Sequence, residues 1–111
     1  GAFPSYTEDC PSILASAYSG DTHQKGLITT DMDKSCILDF KGTAASASLA
    51  AGIIALTLEA NPKLTWRDIM FLTVLTARPD VYGSIGFIKN KRGLLVSSRY
   101  GFGLMDAGRM V

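Results

Sequence analysis

The chain has 111 residues, 11 basic against 10 acidic, and 47% of it is hydrophobic. That length holds one domain at most, and a net charge of +1 gives no footing for nucleic acid or a charged membrane surface. The chain opens at Gly1 with no charged-then-apolar leader, so nothing marks a natural start or a signal peptide.

Small and larger residues alternate over residues 12–19, which predicts a strand. Ser19-Gly20-Asp21 turns the chain into a polar loop that carries His23, the lone histidine. Residues 26–30, G-L-I-T-T, make a second short strand. After a turn at 31–34, residues 36–40 return toward the core. A helix then spans about 43–60, with Leu49, Ile53, Leu56 and Ala60 on one stripe and Ala50, Ile54 and Leu58 beside it. Ala47, Ala51 and Ala55 fill most of the rest, so this helix is apolar nearly all round and expects cover on every side. The chain offers too few partners to supply that cover, which implies that part of the surrounding core lies outside it.

Asn61-Pro62 ends the first helix. Thr65-Trp66-Arg67-Asp68 has capping-box spacing and opens a second helix over about 65–77, which stops before Pro79. A Gly-rich, charged loop covers 80–93, residues 94–96 and 99–102 form a final hairpin, and Asp106 starts a short terminal helix. Strands followed by helices across long connections point to an α/β fold with parallel pairing.

Several chemistries find no support. The phosphate-cradling patterns G-x-G-x-x-G and the P-loop are absent, and one His with two distant Cys fits no zinc spacing. The longest charge-free run, residues 42–58, is 17 residues with three Ser or Thr in its first half. A membrane span needs ~20 predominantly apolar residues, so a buried helix is the better reading. Cys10 and Cys36 leave two arrangements open, a bond between them or two free buried thiols.

At residues 42–68, G-T-A-A-S-A-S-L-A-A-G-I-I-A-L-T-L-E-A-N-P-K-L-T-W-R-D, the sequence resembles the serine-bearing segment of the subtilisin-like proprotein convertases, the kexin and furin group. The family pattern is G-T-S-A-S/A-A-P, then L-A-A-G-I-I-A-L-x-L-E-A-N, then L-T-W-R-D. P-S-Y-T-E-D-C-P-S-I-L-A-S-A-Y-S-G-D, I-T-T-D-M-D-K-S-C and the closing V-S-S-R-Y-G-F-G-L-M-D-A-G-R-M-V also resemble family segments, so the likeness covers essentially the whole chain. D-C-P-S and L-T-V-L-T lean toward the neuroendocrine prohormone convertases.

The resemblance implies a fragment of a subtilisin-like three-layer α/β fold with a parallel sheet, the serine helix at its centre. It makes residues 1–111 a partial subtilisin/kexin-like peptidase domain, the C-terminal third of the catalytic domain. The family's catalytic Asp and His and its oxyanion-hole residue lie upstream of this stretch, and a β-rich P domain follows it. The implied activity is a calcium-dependent serine endopeptidase that cleaves precursor proteins after basic pairs, in the Golgi or secretory vesicles or after secretion. Its implied partners are precursor proteins or a propeptide, with no nucleic acid and no membrane span in this chain.

On that motif the nucleophile position is Ala44, whose methyl cannot attack a carbonyl. The Ala44 backbone N–H remains, at a helix N-terminus where an oxyanion donor belongs. Ser46 points about 200° around the helix from Ala44, and Ser48, on the same face a turn deeper, stands where the family has Pro. Both read as small packing residues. This chain is therefore expected to be inactive; the alternatives are a pseudoprotease that binds propeptide or peptide without cleavage, and a truncated product with no role of its own.

Glu8 matches a family calcium ligand, but hard cations need several oxygens and the other ligands lie upstream, so calcium binding by this chain alone is not expected. His23 reads as exposed. The resemblance pairs Cys10 and Cys36 each with an upstream cysteine rather than with one another. Ser5 replaces a family Trp, Phe40-Lys41 replaces H-T or H-S, and Met70-Phe71 replaces Q-H. With Ala44 and Ser48 most of these departures cluster around the serine helix, which favours natural drift over one engineered change. Lys89-Asn90-Lys91-Arg92 is a K-x-K-R string, the kind of site these enzymes cut, or simply a loop tip that collects charge.

Overall fold

The computed structural model describes residues 4–21, 23, 25–83 and 86–111. Thr22 and Gln24 of the expected polar loop, and positions 84 and 85 of the expected charged loop, lie outside them. Strands β1 (Leu27–Thr30) and β2 (Cys36–Phe40) pair antiparallel across a 3-10 turn at Met32–Lys34. The turn is opened by Asp31, whose carboxylate accepts from the Met32 N–H at 2.8 Å.

Helix α1 spans Thr43–Ala60, the span expected from its apolar stripes. Asn61 ends it, because Pro62 disfavours helical backbone at the residue before it. Helix α2 covers Trp66–Thr76 and carries the full capping box: Thr65 Oγ1 accepts from the Asp68 N–H, and the Asp68 carboxylate accepts from the Thr65 N–H at 2.7 Å. Helix α3, Ala107–Met110, is short, begins at Asp106 as expected, and lies against both α1 and α2.

The parallel pairing expected of the fold joins residues 14–16 to the chain end. Ser16 bridges Leu104 in parallel, with Ser16 N–H donating to Gly103 O and Met105 N–H to Ser16 O, both at 2.9 Å. Leu104 also bridges Arg78 on its other side, antiparallel. Leu104 therefore ties the first strand segment to the end of α2. Gly103 sits at this crossing with φ +128, and a Cβ there would lie 2.4 Å from the Arg78 carbonyl carbon. Only glycine allows so close a backbone approach.

At the C-terminal hairpin the strand partner differs from the expected one. β4 (Leu95–Val96) pairs antiparallel with β3 (Ile88–Lys89), inside the stretch expected to be loop. Ser97 bridges Gly101 directly after it, so the expected 94–102 turn is present as well. Two-residue strands carry no alternation to read.

The core is small and sits where the helices meet the Leu104 crossing. Ala45, Ile69, Ala77, Leu104 and Met110 are buried, with Thr57 and Thr73 beside them. Thr57 and Thr73 reach inside because each hydroxyl donates to the carbonyl four residues back, Ile53 and Ile69, which satisfies it locally. Much of the remaining apolar surface is open: Leu56 is 51% exposed, Phe71 55% and Leu75 66%. α1 is also long and apolar enough to cross a membrane by length and composition alone, as core helices of soluble proteins often are. It is the element whose sequence most demands cover, and within this chain it has little.

Candidate functional site: the start of the apolar helix

The entry to α1 is built by Gly42, which has φ +91 and caps the helix without a side chain. An L-residue resists that backbone, so glycine is needed for the sharp turn. The Gly42 carbonyl accepts from the Ala45 N–H at 3.1 Å and from Ser19 Oγ at 2.9 Å. Ser46 Oγ in turn donates to the Tyr18 carbonyl at 3.2 Å. Two serines thus clamp the helix start to the end of the 12–19 segment. The sequence singled out Ser46 only as a packing residue and Ser19 only as the start of a turn. Their partners lie 23 and 28 residues away, beyond the reach of local pattern.

Ala44 is the second residue of α1 and is exposed. The first N–H groups of a helix have no intrahelical acceptor, and the aligned peptide dipoles place a partial positive charge there. No acidic residue stands in the first turn to neutralise it. The arrangement suits an electron-rich oxygen, yet at the position itself there is only a methyl group. Ser48 Oγ is committed to the Ala44 carbonyl at 2.9 Å, the usual back-bond of a helical serine. The Ser46 and Ser48 hydroxyls are therefore spent on structure.

Beside this entry lies a cavity of about 430 Å³. Thr43, Ser46, Ala47 and Ala50 give its α1 wall, and Tyr6, Tyr82 and Tyr100 face them. Tyr82 and Tyr100 stack with ring centroids 4.1 Å apart, and the Tyr82 hydroxyl is 3.0 Å from Ser16 Oγ. Burial pushes the Tyr82 phenol above its ordinary pKa, against a smaller downward pull from the Ser16 hydrogen bond. Tyr6 donates to the Gly20 carbonyl and lies 3.1 Å from Ser19 Oγ. Ala44 itself is not part of this lining, although its neighbour Thr43 is; the cavity runs along an adjoining flank of the helix.

The other expected residues stand apart from both. His23 is exposed in its turn. Glu8 is exposed, and among the described residues no group of three or more His, Cys, Asp or Glu comes together to hold a metal. Cys10 and Cys36 are both free thiols. The Cys10 thiol is 2.8 Å from Ser12 Oγ, and hydrogen bonds from the Ser12 side chain and then its backbone hold it below its ordinary pKa.

The profile of the subtilase family matches residues 2–103. Human furin is 50% identical over 112 residues, covering 100% of this chain and 14% of furin. Human proprotein convertase subtilisin/kexin type 5 is 50% identical over 112 residues, covering 100% of this chain and 6% of that protein. The protein of the same description from Branchiostoma californiense is 47% identical over 125 residues, again along 100% of this chain, and 7% of its own length. Among solved structures, a serine protease of Aeromonas sobria in complex with its chaperone superposes with a TM-score of 0.86 over 96% of this chain and 26% of that one, at 23% identity. At that identity the match shows the fold, an α/β segment of a subtilisin-like serine protease. The chain spans only a small part of each curated relative.

Proposed function

This chain belongs to the subtilase family, and from that premise we propose that it is the serine-loop segment of a precursor-processing convertase fold that has lost its nucleophile. The observation that carries the proposal is Ala44. It occupies the exposed first turn of α1, at the positive end of the helix, where a reactive hydroxyl would meet a substrate carbonyl. Ser46 and Ser48, the serines nearest in sequence, donate to the carbonyls of Tyr18 and Ala44 and are not free to take its place. Geometry decides here, because attack requires reacting atoms about 3–3.5 Å apart and aligned.

The remaining parts of the reading rest on the same premise. The triad Asp and His and the second oxyanion donor come from polypeptide outside these 111 residues. So do most calcium ligands, with Glu8 giving one oxygen at the edge of that site. α1 is a core helix of the assembled catalytic domain rather than a membrane span. Cys10 and Cys36 pair with cysteines outside this chain, which fits a protein of the secretory pathway. A β-rich domain follows. The intact entry turn, with Ser19 donating to the Gly42 carbonyl and Ser46 to the Tyr18 carbonyl, favours a second reading in which the site still binds a propeptide or a basic peptide without cutting it.

A fluorogenic dibasic peptide and a serine-directed fluorophosphonate test the proposal on the full-length protein. Removing the nucleophile of a serine protease costs about a millionfold in kcat. The expected result is no turnover and no labelling. Ala44→Ser then reports whether the rest of the machinery is intact, by labelling at residue 44. Turnover by the unaltered protein that the fluorophosphonate blocks would overturn the proposal.

A further inference from the structure

We propose that the turn between β3 and β4 is a proteolytic cleavage site, cut after Arg92 by a trypsin-like endopeptidase, and that the cut chain stays assembled. Nothing in this depends on Ala44. Lys89, Lys91 and Arg92 put three cations into four positions, and Lys91-Arg92 is the one adjacent basic pair in the sequence. All three side chains are exposed, and none takes part in an ion pair seen among the described residues. A protease whose pocket carries a carboxylate for a basic side chain is drawn to such a cluster.

The backbone there opens easily. β3 and β4 are two residues each and pair only with one another. Ile88 is 70% exposed and Leu95 43%, so the hairpin holds little apolar surface out of water. What closes the turn is Asn90. Its side-chain oxygen accepts from the Arg92 and Leu94 N–H groups at 2.9 and 3.0 Å. Its carbonyl accepts from the Gly93 N–H at 2.9 Å, and its own N–H donates to the Leu94 carbonyl at 2.9 Å. Gly93 turns the chain back at φ +85. A protease needs this segment extended, so cleavage follows the population of the opened turn.

Hydrolysis breaks the amide between the Arg92 carbonyl carbon and the Gly93 nitrogen. One water supplies the oxygen of a new Arg92 carboxylate, and the Gly93 nitrogen leaves as an ammonium; no other reactant enters. The piece that starts at Gly93 remains anchored. Leu104 exchanges hydrogen bonds with Arg78 at 2.8 and 3.1 Å, Met105 donates to Ser16, and Leu104 and Met110 are buried.

The test is limited trypsin digestion of the native full-length protein. The first new N-terminus is expected to read Gly93-Leu94-Leu95, with the two pieces co-eluting in gel filtration and separating in SDS. Lys91→Gln with Arg92→Gln removes this cut and leaves later ones. Asn90→Ala speeds it about thirtyfold for the two hydrogen bonds removed. A first cut at another basic residue, or an Asn90→Ala rate equal to the unaltered protein's, overturns the cleavage site. Separation of the pieces without denaturant overturns the claim that they stay together.

Discussion

Gly103 carries more of the architecture than its size suggests, and Gly103→Ala measures how much. A Cβ built there lies 2.4 Å from the Arg78 carbonyl carbon and 2.4 Å from the Pro79 nitrogen, whereas ordinary contact begins at 3.4 Å. Both neighbours are backbone, so relief requires the segments to part by about 1 Å rather than a side chain to rotate. Four hydrogen bonds cross this point: Ser16 to Gly103, Met105 to Ser16, and the two between Arg78 and Leu104. Losing two of them costs roughly 1 kcal/mol each. Holding an alanine at φ +128 adds about 1–2 kcal/mol. The sum, of the order of 3–4 kcal/mol, lies above what most single substitutions cost, about 0.5–3 kcal/mol. Amide hydrogen exchange on the full-length protein reads it locally: the Ser16, Arg78 and Leu104 amides should exchange about a hundredfold faster or more. Exchange within threefold of the unaltered protein would refute the argument, because it would mean the crossing relaxes without losing its bonds.

Thr65→Ala removes the hydroxyl of the α2 capping box and should cost about 1 kcal/mol at neutral pH, read by urea unfolding. The Thr65 hydroxyl, and after it the Thr65 N–H, holds the Asp68 carboxyl below the usual carboxylate range. A folded pKa below the unfolded one gives stability that is present above the unfolded value, near pH 4, and lost as pH falls through the folded one. The gap between Thr65→Ala and the unaltered protein should therefore narrow below about pH 4, and a gap that widened in acid would contradict the cap's role. The 111-residue chain alone, with Leu56, Phe71 and Leu75 open to water, should bind a hydrophobic dye and melt without a sharp transition. A cooperative melt with strong near-UV signal would show that its own core suffices.

Local rules located what local forces build. The capping box at Thr65 and Asp68, the stop at Asn61-Pro62 and the apolar run of α1 were legible because neighbouring residues create each of them. β1 and β2 were legible from their bounding turns. The pairing of β4 with β3 was not, since Ile88–Lys89 is too short and too charged to alternate. Nor was the clamp of Ser19 and Ser46 on the helix entry, or the triple meeting of Ser16, Arg78 and Leu104. Those depend on segments brought together across the chain, where a serine or glycine shows no sign of its partner. Gly101 and Gly103 were the available hint, since closely spaced glycines often mark backbone approaching backbone.

The two halves of the helix entry answer to different constraints, which is how the proposed loss of the nucleophile would leave the fold in place. Gly42 must be glycine for its backbone, and Ala45 is fully buried at 0% exposure. Ala44 between them touches solvent, so no packing defines its identity. Alanine is also the best helix former, ahead of serine by a few tenths of a kcal/mol. A serine-to-alanine change here therefore meets no resistance from stability; only a requirement for catalysis would oppose it. Ser48 argues the same way from the other side. Where the family pattern has a proline, its hydroxyl has found a helical carbonyl to bond, the Ala44 oxygen at 2.9 Å. A mid-helix serine satisfied in this manner needs no compensating change elsewhere. On the proposed reading, substitutions that folding tolerates gather around the nucleophile position, while Gly42, Ala45 and the Leu104 crossing keep the geometry of the helix entry.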